Sequence, residues 1–167
     1  MADARQEAIA ARFAGGRLAL VLYGAIVAGT ALAIAGSHAG SPTGVVLAML
    51  GSLLIYWLSH IYVQAVAEHV ADPLVPTWTV VRSSVRHEAA LPLGGLPTAG
   101  VFTASILLGA ETTTATLVGL WFTVGLLGAT GYAAGRRAGA TGWRLAAESL
   151  VAAGFGLVAV GLKIAMH

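Results

Sequence analysis

The stretch GVVLAMLGSLLIYWLSHIYVQAVA, residues 44–67, decides the fold, because its 24 residues include no Asp, Glu, Lys or Arg. At ~1.5 Å rise per residue, a helix of that length crosses a hydrocarbon core of ~30 Å. Four further apolar runs lie at residues 18–36, 89–110, 113–134 and 143–165. The first of these, at 19 residues, exceeds the ~7–15 of a signal-peptide core, so it is read as a span. The expectation is an all-α polytopic membrane protein with five transmembrane helices. The third is preceded by an amphipathic stretch, Val80–Glu88, and is expected to kink where Pro92 and Pro97 flank Gly94 and Gly95.

Composition agrees with this reading. The 167 residues are 57% apolar and only 10% charged, against about 25% charged in a soluble domain. That is too little charge to coat a globule in water. The net charge of +2 comes from loop arginines, and no separate basic face is left for nucleic acid, so no nucleic-acid partner is expected. Cysteine is absent, which excludes disulfides, thiolate metal sites and cysteine nucleophiles together.

Charge also sets the topology. Arg5, Arg12 and Arg17 precede the first run, Arg82 and Arg86 precede the third, and Arg136, Arg137 and Arg144 separate the fourth from the fifth. The intervening loops, Ser37–Thr43 and Glu111–Thr112, carry no Lys or Arg. Basic loops stay cytoplasmic, so the chain is expected in the plasma membrane with its N-terminus inside and its C-terminus outside. Residues 1–17 read as a cytoplasmic interfacial helix lying on the inner leaflet. Asp72-Pro73 and Pro76 break the helix after the second span. Small residues recur at Ala25, Gly29 and Ala33, and Gly131 and Gly135 form a GxxxG pair. Such stripes let helices approach closely, and a homo-oligomer is expected from them. Lys163, near the outer end of the last span, is expected to snorkel to the headgroups.

Ionisable groups inside spans are costly and mark candidate sites. His60 lies roughly 24 Å along a helix entered near residue 44, in the inner third of the core. Glu88 opens the third span from the inner side, and Glu148 lies one to two turns into the fifth. Tyr56, His60, Gln64 and Glu68 recur every four residues and so share one helix face. A polar stripe on an apolar helix is expected to point inward. Imidazole with carboxylates suits a first-row divalent metal held by His60, Glu88 and Glu148. The same groups could relay protons, or lock helices together as a structural clamp.

The segment Trp57-Leu58-Ser59-His60-Ile61-Tyr62 resembles a signature, W-L-[AS]-H-x-Y, found in the second helix of small multi-span membrane proteins of actinobacterial type. Arg82, Arg86 and Glu88 at the opening of the third helix, and the Gly-rich last helix ending in Leu-Lys-Ile, are similar too. The resemblance implies a membrane-embedded helical fold, draws attention to His60, Tyr62 and Glu88, and implies no particular activity. The expected function is cation passage, of protons or a divalent metal, along His60, Glu88, Glu148, Tyr56, Gln64, Glu68 and Tyr62. The alternative is a non-catalytic scaffold or accessory subunit. No nucleophile triad or paired-Asp arrangement stands out, so an enzyme is not expected.

Overall fold

The first helix is the one on which the others close. The structure, a computed structural model, describes residues 2–38, 41–71 and 77–165. Its helices are α1 (Ala2–His38), α2 (Pro42–Ala71), α3 (Thr77–Glu88), α4 (Ala90–Leu107), α5 (Thr112–Arg137) and α6 (Trp143–Ala165). Among the described residues there is no strand. Among the described residues, five stretches are long and apolar enough to cross a membrane: Gly16–His38, Pro42–Val70, Val81–Leu107, Thr112–Arg137 and Trp143–Ala165. The all-α polytopic architecture is as expected. The break at Asp72, Pro73 and Pro76 lies outside the described residues.

α1 contacts every other helix, α4 most extensively, while α5 and α6 form the tightest remaining pair. Its buried face is built of Gly24, Ala25, Ala28, Gly29, Leu32 and Ala33. Small side chains matter here because hydrocarbon offers no hydrophobic drive between helices, and association rests on close packing. A Cβ built on Gly24 would overlap the Leu91 carbonyl of α4, and one on Gly94 would overlap the Val21 carbonyl of α1. The two backbones therefore meet without side chains between them. On α5 and α6 the same device recurs: a Cβ on Gly156 would lie 2.8 Å from Val124 Cα. The small-residue stripes from which an oligomer was expected are thus occupied within one chain.

Two turns share one chemistry. After α4, Gly109 adopts φ 89° and the Ala110 N–H donates to Ser105 O at 3.0 Å. After α5, Gly139 adopts φ 79° and the Ala140 N–H donates to Gly135 O at 2.9 Å. In both, a left-handed glycine lets the chain fold back and occupy last-turn carbonyls that the helix cannot pair itself. Contacts of Gly131 with Ala152, and of Gly156 with Val124, run α5 and α6 antiparallel.

Two helix ends can be described more closely. The N-terminal stretch is helical and continuous with the first span, since α1 runs unbroken from Ala2 to His38. The third span passes from α3 to α4 at Ala89, ahead of the proline–glycine segment, and Ala89 itself keeps helical dihedrals (φ −60°, ψ −19°). Pro92 lies in the first turn of α4, where a missing N–H costs little. Its absent donor would otherwise have served the Glu88 carbonyl, four residues back, so the hydrogen-bond ladder lapses there while the helical path continues. Pro97 sits inside α4 without ending it.

Replacing Gly94 by Val forces α1 and α4 apart. The expected loss is about 1–3 kcal/mol, read as a lowered unfolding midpoint in detergent, while Gly100→Val, where nothing lies within 4 Å of an added Cβ, should leave the midpoint near wild type.

Candidate functional site: buried polar groups along the bundle

Ser84, Glu88, Leu91, Gly95, Thr98 and Phe102 are all buried. Their alternating spacing of four and three places them on one continuous face of α3 and α4. That face turns into the bundle, and it carries Glu88 with it. The Glu88 residue is only 2% exposed, and its Oε2 is buried with no hydrogen-bond partner. Buried polar atoms are almost always paired; among the described residues this carboxylate oxygen and Trp57 Nε1 are buried without a partner, and of the two the carboxylate is the ionisable one.

Higher in the bundle several buried polar groups bridge helices, while Trp57 Nε1 of α2 has no partner. Thr123 Oγ1 donates to Gly119 O at 2.8 Å, which uses its one proton. Thr98 Oγ1, 2.9 Å away on α4, is therefore the donor in the hydroxyl pair that ties α4 to α5. Ser149 Oγ of α6 donates to Gly128 O of α5 at 2.8 Å. At the far end, Lys163 is 1% exposed, and its Nζ donates to Gly36 O at 2.9 Å. Gly36 lies in the last turn of α1, whose carbonyls lack intrahelical donors and carry the negative end of the helix dipole. An ammonium is suited to that position. Lys163 does not snorkel outward as expected; it turns inward and joins α6 to the end of α1. The signal was present in the sequence, because Gly156, Ala159, Val160 and Lys163 share the buried face of α6.

His60 is half-buried and packs its ring against Tyr23 of α1, with centroids 5.4 Å apart. Tyr23 also meets Tyr56, at 5.7 Å and 62°, an edge-to-face arrangement. Three aromatic rings thus clasp α1 to α2. The rest of the polar stripe does not point inward as expected. Tyr56 is 43% exposed, and Gln64 and Glu68 are exposed. The inward face of α2 is taken by Val45, Met49, Leu53 and Ile61, which also recur every four to eight residues, one position away from the stripe. One residue is ~100° of rotation, enough to put the stripe on the flank. Tyr62 is 70% exposed and lines an apolar groove of about 390 Å³ between α2 and α3, together with Leu58, Ile61, Val66, His69 and Val81.

Glu148 is exposed, with its carboxylate resting over Gly135 of α5. Among the described residues, His60, Glu88 and Glu148 make no hydrogen bond or ion pair with one another, and no three His, Cys, Asp or Glu side chains come together as a metal site. Equal depth along three helices does not bring them to one point, because α2 packs on α1, α3 and α4, whereas α6 packs on α5 and α1. No known protein family, curated protein or solved structure matches the chain.

Removing the Lys163 ammonium leaves the end of α1 without its donor. Lys163→Met should lower stability by about 1.5–3 kcal/mol, the range for hydrogen bonds to charged groups, measured as the unfolding midpoint in detergent. A midpoint equal to wild type would contradict the inward placement.

Proposed function

We propose that the chain is a small, non-enzymatic plasma-membrane protein that passes a cation, with Glu88 as the carboxylate through which it moves. The observation that carries this reading is the burial of Glu88 without a partner for Oε2. An ionisable group at membrane depth is expensive, and such residues mark ion or proton pathways. One carboxylate is sufficient to accept and release a proton, whereas a divalent metal needs several ligands. The proton is therefore the simpler cargo and a divalent metal the second. The arginine-rich end would be cytoplasmic, placing Glu88 near the inner surface.

His60, Tyr56, Gln64, Glu68 and Tyr62 enter this reading as the lining of a seam between two copies of the chain. A half-exposed polar stripe facing lipid is unfavourable, and a second copy laid against α2 would cover it. Glu148 would stand at the inner mouth. The alternative is a scaffold or accessory subunit. It is favoured by Lys163, Thr98, Thr123 and Ser149, whose polar atoms are all spent on bonds between helices.

Flux in reconstituted liposomes separates the two. A pH jump read by an internal pH dye, and manganese entry read by an internal metal dye, should show transport by wild type. Glu88→Gln should reduce it by at least roughly a hundredfold, the lower end for a lost proton-transfer group, and His60→Ala should reduce it less. Equal flux through wild type, both variants and empty vesicles would contradict cation passage and leave the scaffold reading.

A further inference from the structure

A cavity of about 550 Å³ at the arginine-rich end is lined by Arg17 of α1 and by Thr79, Arg82, Ser83 and Arg86 of α3. Residues 79, 82, 83 and 86 follow the spacing of a single helix face, so both arginines of α3 border the same space as Arg17. The volume falls in the small-ligand range of ~300–1,000 Å³. Among the described residues, none of the three guanidinium groups meets a carboxylate. Glu88, the acidic residue of α3, is buried on another face of that helix.

Arg82 and Arg86 are four residues apart on one helix, where like charges repel, and Arg17 adds a third positive charge to the same space. The cytoplasmic preference of arginine accounts for their side of the membrane, but not for their convergence on one space. Guanidinium groups bind phosphate oxygens bidentately, and the flanking Thr79 hydroxyl suits a remaining oxygen. On this basis we propose that the cavity is a binding site for a phosphate-bearing anion. Two sources share that chemistry: the headgroup of an anionic phospholipid, and a free phosphate or phosphate ester reaching the membrane surface. Trp78, 73% exposed beside the cavity, has the amphipathic ring that anchors helices at headgroup level. The site is independent of cation passage through Glu88.

The test uses the full chain in nanodiscs of phosphatidylcholine, with and without phosphatidylglycerol. Lipid retained after gentle extraction is counted by native mass spectrometry. In parallel, the thermal midpoint in detergent is compared in inorganic phosphate and in chloride at matched ionic strength. Selective retention of phosphatidylglycerol, weakened roughly thirty-fold by Arg82→Gln with Arg86→Gln, would establish the lipid source. Stabilisation by phosphate over chloride, lost in the same variant, would establish the soluble one. Arg136→Gln with Arg137→Gln removes two charges at the same end but outside the cavity, and should change neither readout. Equal losses from both pairs, or no selectivity in either arm, would overturn the site. Arg82→Lys with Arg86→Lys keeps the charge and the fold but loses the bidentate fork, so it should bind more weakly than wild type. Retention and stabilisation equal to wild type would likewise count against it.

Discussion

Hydrocarbon cannot hydrogen-bond, so every buried donor and acceptor in this molecule has to be answered by another part of the chain. The small-residue face of α1 makes that possible. Because Gly24 and Gly94 let α1 and α4 meet backbone to backbone, the remaining helices come close enough for short side chains to bridge them. Thr98 reaches Thr123, Ser149 reaches Gly128, and Lys163 reaches the last turn of α1. Wider spacing would leave each of these groups stranded. Close packing and polar satisfaction are one requirement seen from two sides.

Glu88 stands apart from that pattern. It occupies an inward position on the same face as Leu91, Thr98 and Phe102, yet one carboxylate oxygen has no partner. It also sits where Pro92 forces α3 to end and α4 to begin. The carbonyl that Pro92 leaves without its helical donor belongs to the same residue as the orphaned carboxylate. The arginines of α3 lie on a different face of that helix, which gives its short length two chemistries: an acidic group directed into the bundle and a basic surface directed toward Arg17.

Much of the architecture was legible in the residues. Length and the near absence of charge within 44–67 and its sister runs mark the spans, and the i, i+3, i+4 pattern marks the inward faces. What could not be read was rotation about each helix axis. Tyr56, His60, Gln64 and Glu68 form a regular stripe, but Val45, Met49, Leu53 and Ile61 form an equally regular one beside it. Only packing against α1 and α4 decides which turns inward. Depth placed His60, Glu88 and Glu148 at one level without revealing that their helices have different neighbours. Lys163 was misread for a different reason. A lysine at a span end is ordinarily drawn to headgroups, and that general tendency concealed its register with Gly156, Ala159 and Val160. The Ala25–Gly29–Ala33 stripe was correctly read as a packing surface, but the helices that use it belong to the same chain.

That last point is the foundation of the whole arrangement and can be tested directly. The chain contains no cysteine, so an introduced pair reacts alone. A Cβ on residue 95 would lie 3.0 Å from Ala28 Cβ and 2.6 Å from the Leu53 methyls, so a small outward shift with rotation of the Leu53 side chain brings the pair to the ~3.5–4.5 Å of a disulfide. Mild oxidation of Ala28→Cys with Gly95→Cys in native membranes should give an intrachain link, seen as a monomer with blocked thiols and altered gel mobility. A covalent dimer, or thiols that stay fully reactive, would contradict the packing of α4 onto the small-residue face of α1.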